Sequence, residues 1–251
     1  MILISIGNTR TLLAHTDDGG RSFTIGRFAS THSPAQIRSE LPPPWADWWA
    51  SEEIFLGGVV PEVQEAWQRE LQDCHLPVWN PEIFHQLLPN AYQPPQSLGF
   101  DRRCCLIGAW QQVAGGAALV IDAGTAITMD ILAHGRFLGG QILPGLQSQL
   151  DCLQRSTARL PRTSPLAHPE LLANDTIGGM QSGVWYGTLA AIRQAIAGFQ
   201  QEWPDGRIFL TGGDAVLLQP QLSQSLHDPL LLLQGFVRLV QENRNYSKKI
   251  R

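Results

Sequence analysis

Residue types that handle phosphate stand together at Asp122-Ala123-Gly124-Thr125. A carboxylate such as Asp122 can hold a cation. A glycine lets backbone approach a ligand closely, and backbone N–H groups with the Thr125 hydroxyl can hold phosphate oxygens. The plain alternative is a hairpin whose turn uses Asp and Gly for its own geometry. A second stretch has the same design: Ser5-Ile6-Gly7-Asn8-Thr9, in which Ser5-Ile6-Gly7 aligns with Asp122-Ala123-Gly124. Thr9 and Thr125 each follow their glycine within two positions. Two such turns, near the starts of two halves, suggest a duplicated unit. The turns would face each other across a cleft and hold one polyphosphate.

The elements that must carry these turns can be read from periodicity. Leu119 to Ile121 is an apolar strand, and Ile127, Met129 and Ile131 alternate after the turn, so the whole reads strand, turn, strand. Residues 2–14 repeat the pattern. Residues 1–60 look β-rich, with turns at Gly19-Gly20 and Gly26. Ser33-Pro34 caps a helix reaching Leu41, Trp45, Trp48 and Trp49 share a helical face, Glu53 to Val60 is a buried strand, and Pro61 opens an amphipathic helix. Val78-Trp79 reads as a short strand, Asn80-Pro81 as a helix start and Gln93 to Gln96 as a stiff loop. A helix begins at Asp101, and Gly115-Gly116 closes the first half, giving domains 1–115 and 116–251. In the second half, Phe137 to Ile142 continues the sheet. A helix follows Pro144-Gly145, a proline-rich loop spans Leu160 to Pro169, and Thr176 leads into a long helix. Ile208 to Leu210 is a strand ending in Gly212-Gly213, Leu230 to Leu233 a buried strand, Val237 to Val240 a short helix, and Asn243 to Arg251 a frayed tail.

Composition narrows the chemistry. With 251 residues and 43% hydrophobic content, the chain can build one large or two modest cores. A net charge of −4 does not suggest nucleic-acid binding, and no apolar run is long enough for a membrane span. Met1 to Ile4 lacks a basic start and reads as a strand rather than a signal peptide, so the expected compartment is the cytoplasm. Cys74, Cys104, Cys105 and Cys152 lack zinc-site spacing, and the seven histidines form no paired motif, with His75 and His85 undecided. The only lysines are Lys248 and Lys249. A Walker A loop and a protein-kinase site each need an earlier lysine, so both are excluded. Phosphate chemistry here must use backbone, hydroxyls, arginine and metal.

Six segments, in order, resemble the type III pantothenate kinase family over nearly the whole chain. The family's Asp-x-Gly-Asn-Thr stands as Ser5 to Thr9, with serine replacing the aspartate. Its Gly-x-Asp-Arg motif is Gly99-Phe100-Asp101-Arg102, preceded by Tyr92, and Asp-x-Gly-Thr-Ala is Asp122 to Ala126. Gly-Gly-x-Ile-x-Pro-Gly is complete at Gly139 to Gly145, Asp175 to Gly183 matches a further segment with two changes, and Thr-Gly-Gly-x-Ala is Thr211 to Ala215. The resemblance implies an α/β chain with the duplicated, two-domain, actin-like ATPase fold (ribonuclease H-like) around a central cleft. It implies ATP-dependent phosphorylation of pantothenate, the first step of coenzyme A biosynthesis, by a homodimer.

The resemblance also implies residue roles. Asp101 is the proton acceptor; it follows a glycine turn at a helix start, and Arg102 beside it would keep it ionised at neutral pH. An N-cap aspartate next to a surface arginine accounts for the same residues. Tyr92, Gly99, Phe100, Arg102 and Thr176 contact pantothenate, whose carboxylate suits a planar guanidinium. Ser5, Ile6, Gly7, Asn8, Thr9, Arg10, Thr11 and Leu12 wrap the ATP phosphates, Thr125 contacts ATP, and Gly212 and Gly213 lie near adenosine. Asp122 binds a monovalent cation, K⁺ or NH₄⁺, and Mg²⁺ accompanies ATP. Two other readings stay open: a kinase for a different small alcohol, and a non-catalytic regulatory or accessory relative. Ser5 favours the latter; Asp101, Arg102 and Asp122 argue against it.

Overall fold

The computed structural model describes residues 1–251 except 73, 75–82, 84–86, 90–91, 93, 95–96 and 250–251, and the side chains of 247–249. In chain order, the described elements begin with strands β1 (Ile2–Ile6), β2 (Arg10–His15) and β3 (Thr24–Ala29). Helices α1 (Pro34–Glu40) and α2 (Pro44–Ser51), strand β4 (Ile54–Gly58), and helices α3 (Pro61–Glu70) and α4 (Phe100–Gln112) follow. Next come β5 (Ala118–Ala123), β6 (Ala126–Ala133), β7 (Arg136–Pro144), α5 (Leu146–Ser156) and α6 (Thr176–Glu202). Strand β8 (Arg207–Thr211), the short helix α7 (Ala215–Leu218), strand β9 (Leu226–His227) and helix α8 (Leu231–Lys249) complete the series. Two compact units result, Met1–Gly108 with Leu231–Arg251, and Ala109–Leu230.

In the first unit the strand order is β3-β2-β1-β4, with β1 antiparallel to β2 and parallel to β4. Strand β1 is buried along its whole length, as a central strand covered on both faces must be. Ile2, Ile4 and Ile6 meet Ile37, Trp45, Trp49 and Trp67 of α1, α2 and α3. Helix α8 packs against β1 as well. Ser33 starts α1 with a reciprocal capping box, its hydroxyl accepting from the Gln36 N–H while the Gln36 side chain accepts from the Ser33 N–H.

The second unit repeats the plan. Its strand order is β7-β6-β5-β8-β9, with β5 antiparallel to β6 and parallel to β8. Leu119, Ile121, Ile127 and Met129 form one face of this sheet and pack with Leu146 and Leu150 of α5 and Trp185, Leu189 and Ile192 of α6. Asp175 caps α6 by accepting the Gly178 N–H at 3.0 Å.

Several expectations are revised. The run Leu230 to Leu233 is not a strand, and Asn243 to Lys249 is helical rather than a frayed tail: α8 runs from Leu231 to Lys249, and residues 250 and 251 lie outside the described residues. A four-residue apolar run cannot distinguish strand from helix. The buried positions Leu233, Phe236, Val237, Val240 and Asn243 continue at helical spacing. Gly26 lies inside β3, paired with Leu13, rather than at a turn. The contacts divide the chain inside α4, after Gly108, and group α8 with the first unit, whereas the sequence placed the division at residues 115 and 116. Val78-Trp79, Asn80-Pro81, His75, His85 and most of Gln93 to Gln96 lie outside the described residues. Among the described residues, no helix is long and apolar enough to cross a membrane.

Candidate active site

The first turn joins β1 and β2. Register pairs Ser5 with Leu12 and Ile6 with Thr11, leaving Gly7, Asn8 and Thr9 as the connection. The Gly7 N–H donates to the Arg10 carbonyl at 3.0 Å. Ser30 fixes the turn from β3's end. Its hydroxyl donates to the Gly7 carbonyl at 2.8 Å and its N–H to the Thr9 carbonyl at 2.9 Å. Thr11 is fully buried and shares a 3.1 Å hydrogen bond with the Ser30 hydroxyl, so it supports the turn from behind. Asn8, Thr9 and Arg10 are exposed. Ser5 is buried and sits in register with Gly57 of β4.

Gly57 connects that hairpin to the start of α4. A Cβ at Gly57 would lie 2.1 Å from the Phe100 ring, so only glycine lets the ring settle there. A Cβ at Gly99 would meet the Asp101 Oδ1 at 2.8 Å and Val59 at 3.4 Å. Asp101 therefore stands in the first turn of α4, beside the end of β4. Its Oδ1 accepts the Arg102 backbone N–H at 2.7 Å. Arg102 is buried; its Nη2 donates to the Tyr92 hydroxyl at 3.0 Å, and its guanidinium lies 5.4 Å from the Tyr92 ring centre. Arg103, also buried, donates from Nε to the Leu98 carbonyl at 2.8 Å. Burial pulls the Arg103 guanidinium below its ordinary value. Burial, followed by the charge of Asp101, pushes the Cys104 thiol well up.

In the second unit Asp122 sits in register with Thr128 of β6 and Thr211 of β8. In-register neighbours share a face of the sheet, so three oxygen-bearing side chains stand in a row. The Thr128 hydroxyl is buried and makes no hydrogen bond among the described residues. Gly124 donates to the Ala126 carbonyl at 3.0 Å. The Thr125 carbonyl accepts the Gly145 N–H at 2.9 Å and the Ser148 hydroxyl at 2.8 Å, tying the turn to α5. A Cβ at Gly145 would lie 2.0 Å from the Gly124 carbonyl oxygen. Gly212 has φ +95°, and a Cβ there would lie 2.4 Å from both the Ala123 carbonyl oxygen and Asp122 Oδ1. Asp214 N–H then donates to the Ala123 carbonyl at 2.8 Å. The exposed Gly213 sits between these two contacts, and Thr176 is the exposed first residue of α6.

Within each unit, some of the expected residues are neighbours. Ser5, Gly7, Phe100, Asp101, Arg102 and Tyr92 are linked in the first, and Asp122, Thr125 and Gly212 in the second. Sequence reading missed Ser30, Thr128 and the role of Gly57-Gly58. The last had a signal. Gly58 closely approaches Ile6, the residue after Ser5, as Gly212 approaches Ala123, the residue after Asp122. Gly58 ends one apolar parallel strand and Gly212 follows the other, so the duplication extends to the strand beside each turn.

The family model for type III pantothenate kinase matches residues 1–198. A type III pantothenate kinase of Nitrosococcus oceani is 32% identical, over 99% of this chain and 97% of that protein. One of Halorhodospira halophila is 33% identical, over 94% and 96% respectively. Among solved structures, a protein from Campylobacter jejuni described as a Baf family transcriptional activator superposes with a TM-score of 0.63, at 23% identity, over 98% of this chain and 100% of that one. The fold, two mixed α/β sheets in two domains, is that of the actin-like ATPases. By the family model and by its relatives, the chain belongs to the type III pantothenate kinase family of phosphotransferases.

Proposed function

We propose that the protein transfers the terminal phosphoryl group of ATP to the primary hydroxyl of pantothenate, opening coenzyme A biosynthesis, with Asp101 as the base. The observation that supports this most directly is the buried Arg102 held on Tyr92, one residue from Asp101. A guanidinium matches a carboxylate's two oxygens, and pantothenate offers a carboxylate at one end and the reacting hydroxyl at the other. Gly99, Phe100 and Thr176 complete the pantothenate set. Asp101 takes the hydroxyl proton as the oxygen attacks phosphorus. Ser5 to Leu12, Thr125, Gly212 and Gly213 contact ATP, with N–H groups of the turns meeting phosphate oxygens. The turn needs no lysine for this.

Asp122, with Thr128 and Thr211 beside it, is an oxygen donor set of the kind that hard cations accept. These residues would hold K⁺ or NH₄⁺, which supplies positive charge beside the phosphates. Mg²⁺ arrives with ATP, and Ser5 offers it a hydroxyl in place of a carboxylate. The working protein is a homodimer in this reading.

A coupled ADP-release assay tests the proposal. Turnover should require both ATP and pantothenate, and release no faster than with ATP alone would overturn it. Ser5 favours a second reading, a relative that binds ATP without transferring phosphate. Nucleotide binding without ADP release, across a range of Mg²⁺ and K⁺, would establish that alternative; ADP release only with another alcohol would reassign the substrate.

A further inference from the structure

Helix α4 meets α8 along one stripe. Phe100, Cys104 and Gly108 are spaced four apart and stack on one helical face. The Phe100 ring packs edge-on against Phe236, with centroids 4.9 Å apart and planes at 80°. One turn on, a Cβ at Gly235 would lie 1.8 Å from the Cys104 carbonyl oxygen. Two turns on, a Cβ at Gly108 would lie 2.4 Å from the Leu231 carbonyl oxygen. The two backbones touch because both crossing residues are glycine. On another side, the Phe100 ring occupies the space that a Gly57 side chain would need. The ring is held between a strand end and the last helix.

We propose that Phe236 is a positioning residue for Asp101, acting through the clamp that Gly57 and Phe236 place on Phe100. Asp101 lies about 100° round the helix from Phe100 and so stands off the stripe that α8 covers. The seating of Phe100 sets how far α4 is rotated about its axis, and that rotation aims the carboxylate. A side chain reaching ~5 Å from the axis moves roughly 2 Å for a 20° turn. A displacement of about 1 Å can cost on the order of 100-fold in rate. Neither Gly57 nor Phe236 need touch a substrate for this. The proposal rests on Asp101 being the base.

The test is steady-state kinetics on Phe236→Ala and Phe236→Leu in the full chain, with pantothenate varied. The folded fraction is measured by circular dichroism at the assay temperature. We expect Phe236→Ala to lose ~10–100-fold in kcat, with KM for pantothenate raised as well, because Arg102 turns with the same helix, and with ATP binding retained. Phe236→Leu, which refills part of the space, should recover much of that loss. The acid limb of the pH–rate profile should keep its midpoint while the plateau falls, since the base is misplaced rather than changed. A role limited to folding would lower activity only in proportion to the unfolded fraction, and wild-type kcat per folded molecule in Phe236→Leu and Phe236→Ala would overturn the clamp. If Phe236→Ala fails to fold, Phe236→Val takes its place, and wild-type kcat per folded molecule in that variant overturns the clamp. Asp101→Asn, run alongside, separates the two ideas. Full turnover in that variant removes the base assignment, whereas an inactive Asp101→Asn with unaffected Phe236 variants removes only the clamp.

Discussion

Asp101, Asp122 and Ser5 carry the residue-scale expectations. Asp101→Asn keeps the size of the side chain and its ability to accept the Arg102 N–H, but removes its basicity. A loss of ~10²–10⁴-fold in kcat is expected with pantothenate binding retained; wild-type turnover would show that the base lies elsewhere. Asp122→Ala leaves Thr128 and Thr211 without their central carboxylate. The rate difference between K⁺ and Na⁺ at equal ionic strength should shrink, and an unchanged K⁺ response would remove Asp122 from the cation site. Ser5 holds the place on β1 that Asp122 holds on β5: each is the penultimate strand residue, paired with a hairpin partner and with a residue that precedes a closely packed glycine. Ser5→Asp should lower the Mg²⁺ concentration giving half-maximal rate. It should also cost stability in metal-free buffer, because the new charge is buried. Coincident Mg²⁺ titrations would show that residue 5 does not approach the metal. The residue types were legible in the sequence because carboxylate, glycine and hydroxyl recur at matching spacing. Thr128 and Ser30 were not, since a hydroxyl inside or after a strand looks ordinary until its cross-strand neighbour is known.

Turns and helix starts are where the elements carry the candidate site. Gly145 has an ordinary φ of −65°, so its requirement is for space and not for backbone freedom. Gly145→Ala forces a methyl group against the Gly124 carbonyl oxygen and pushes the second turn away from α5. A stability loss of ~1–3 kcal/mol and a raised KM for ATP are expected together. A thermal midpoint and KM that both match the wild type would show that the turn tolerates the shift. Ser33→Ala removes one half of a capping box whose residues belong to none of the proposed binding sets. It should cost about 1 kcal/mol with kcat unchanged, which makes it a useful control for variants that alter stability alone. Strands and helices with clear periodicity or caps were readable: both hairpins, the Ser33 cap and the helix after Thr176. The four-leucine run at Leu230 was not, because its helical period emerges only when Phe236, Val237 and Val240 are counted with it.

At the scale of the whole molecule, the duplicated plan was legible from two turn motifs, and the shared strand orders of the two sheets bear it out. The membership of α8 was not legible, since nothing local in a C-terminal helix tells which sheet it covers. Removing residues 231–251 should open the first unit, which loses Phe236 from Phe100 and Val237 from beside Gly20. Limited proteolysis of that truncated chain should cut within Met1–Gly108 while Ala109–Leu230 stays protected; equal protection of both would show that the first unit does not depend on α8. The same arrangement has a consequence for synthesis. The first unit is the discontinuous one, and its last helix is translated only after the 122 residues of Ala109–Leu230. At ~5–20 residues per second, that is a wait of roughly 6–24 s. During that wait the nascent chain carries the Phe100 face of α4 without its cover, so the unit begun before the other is completed after it.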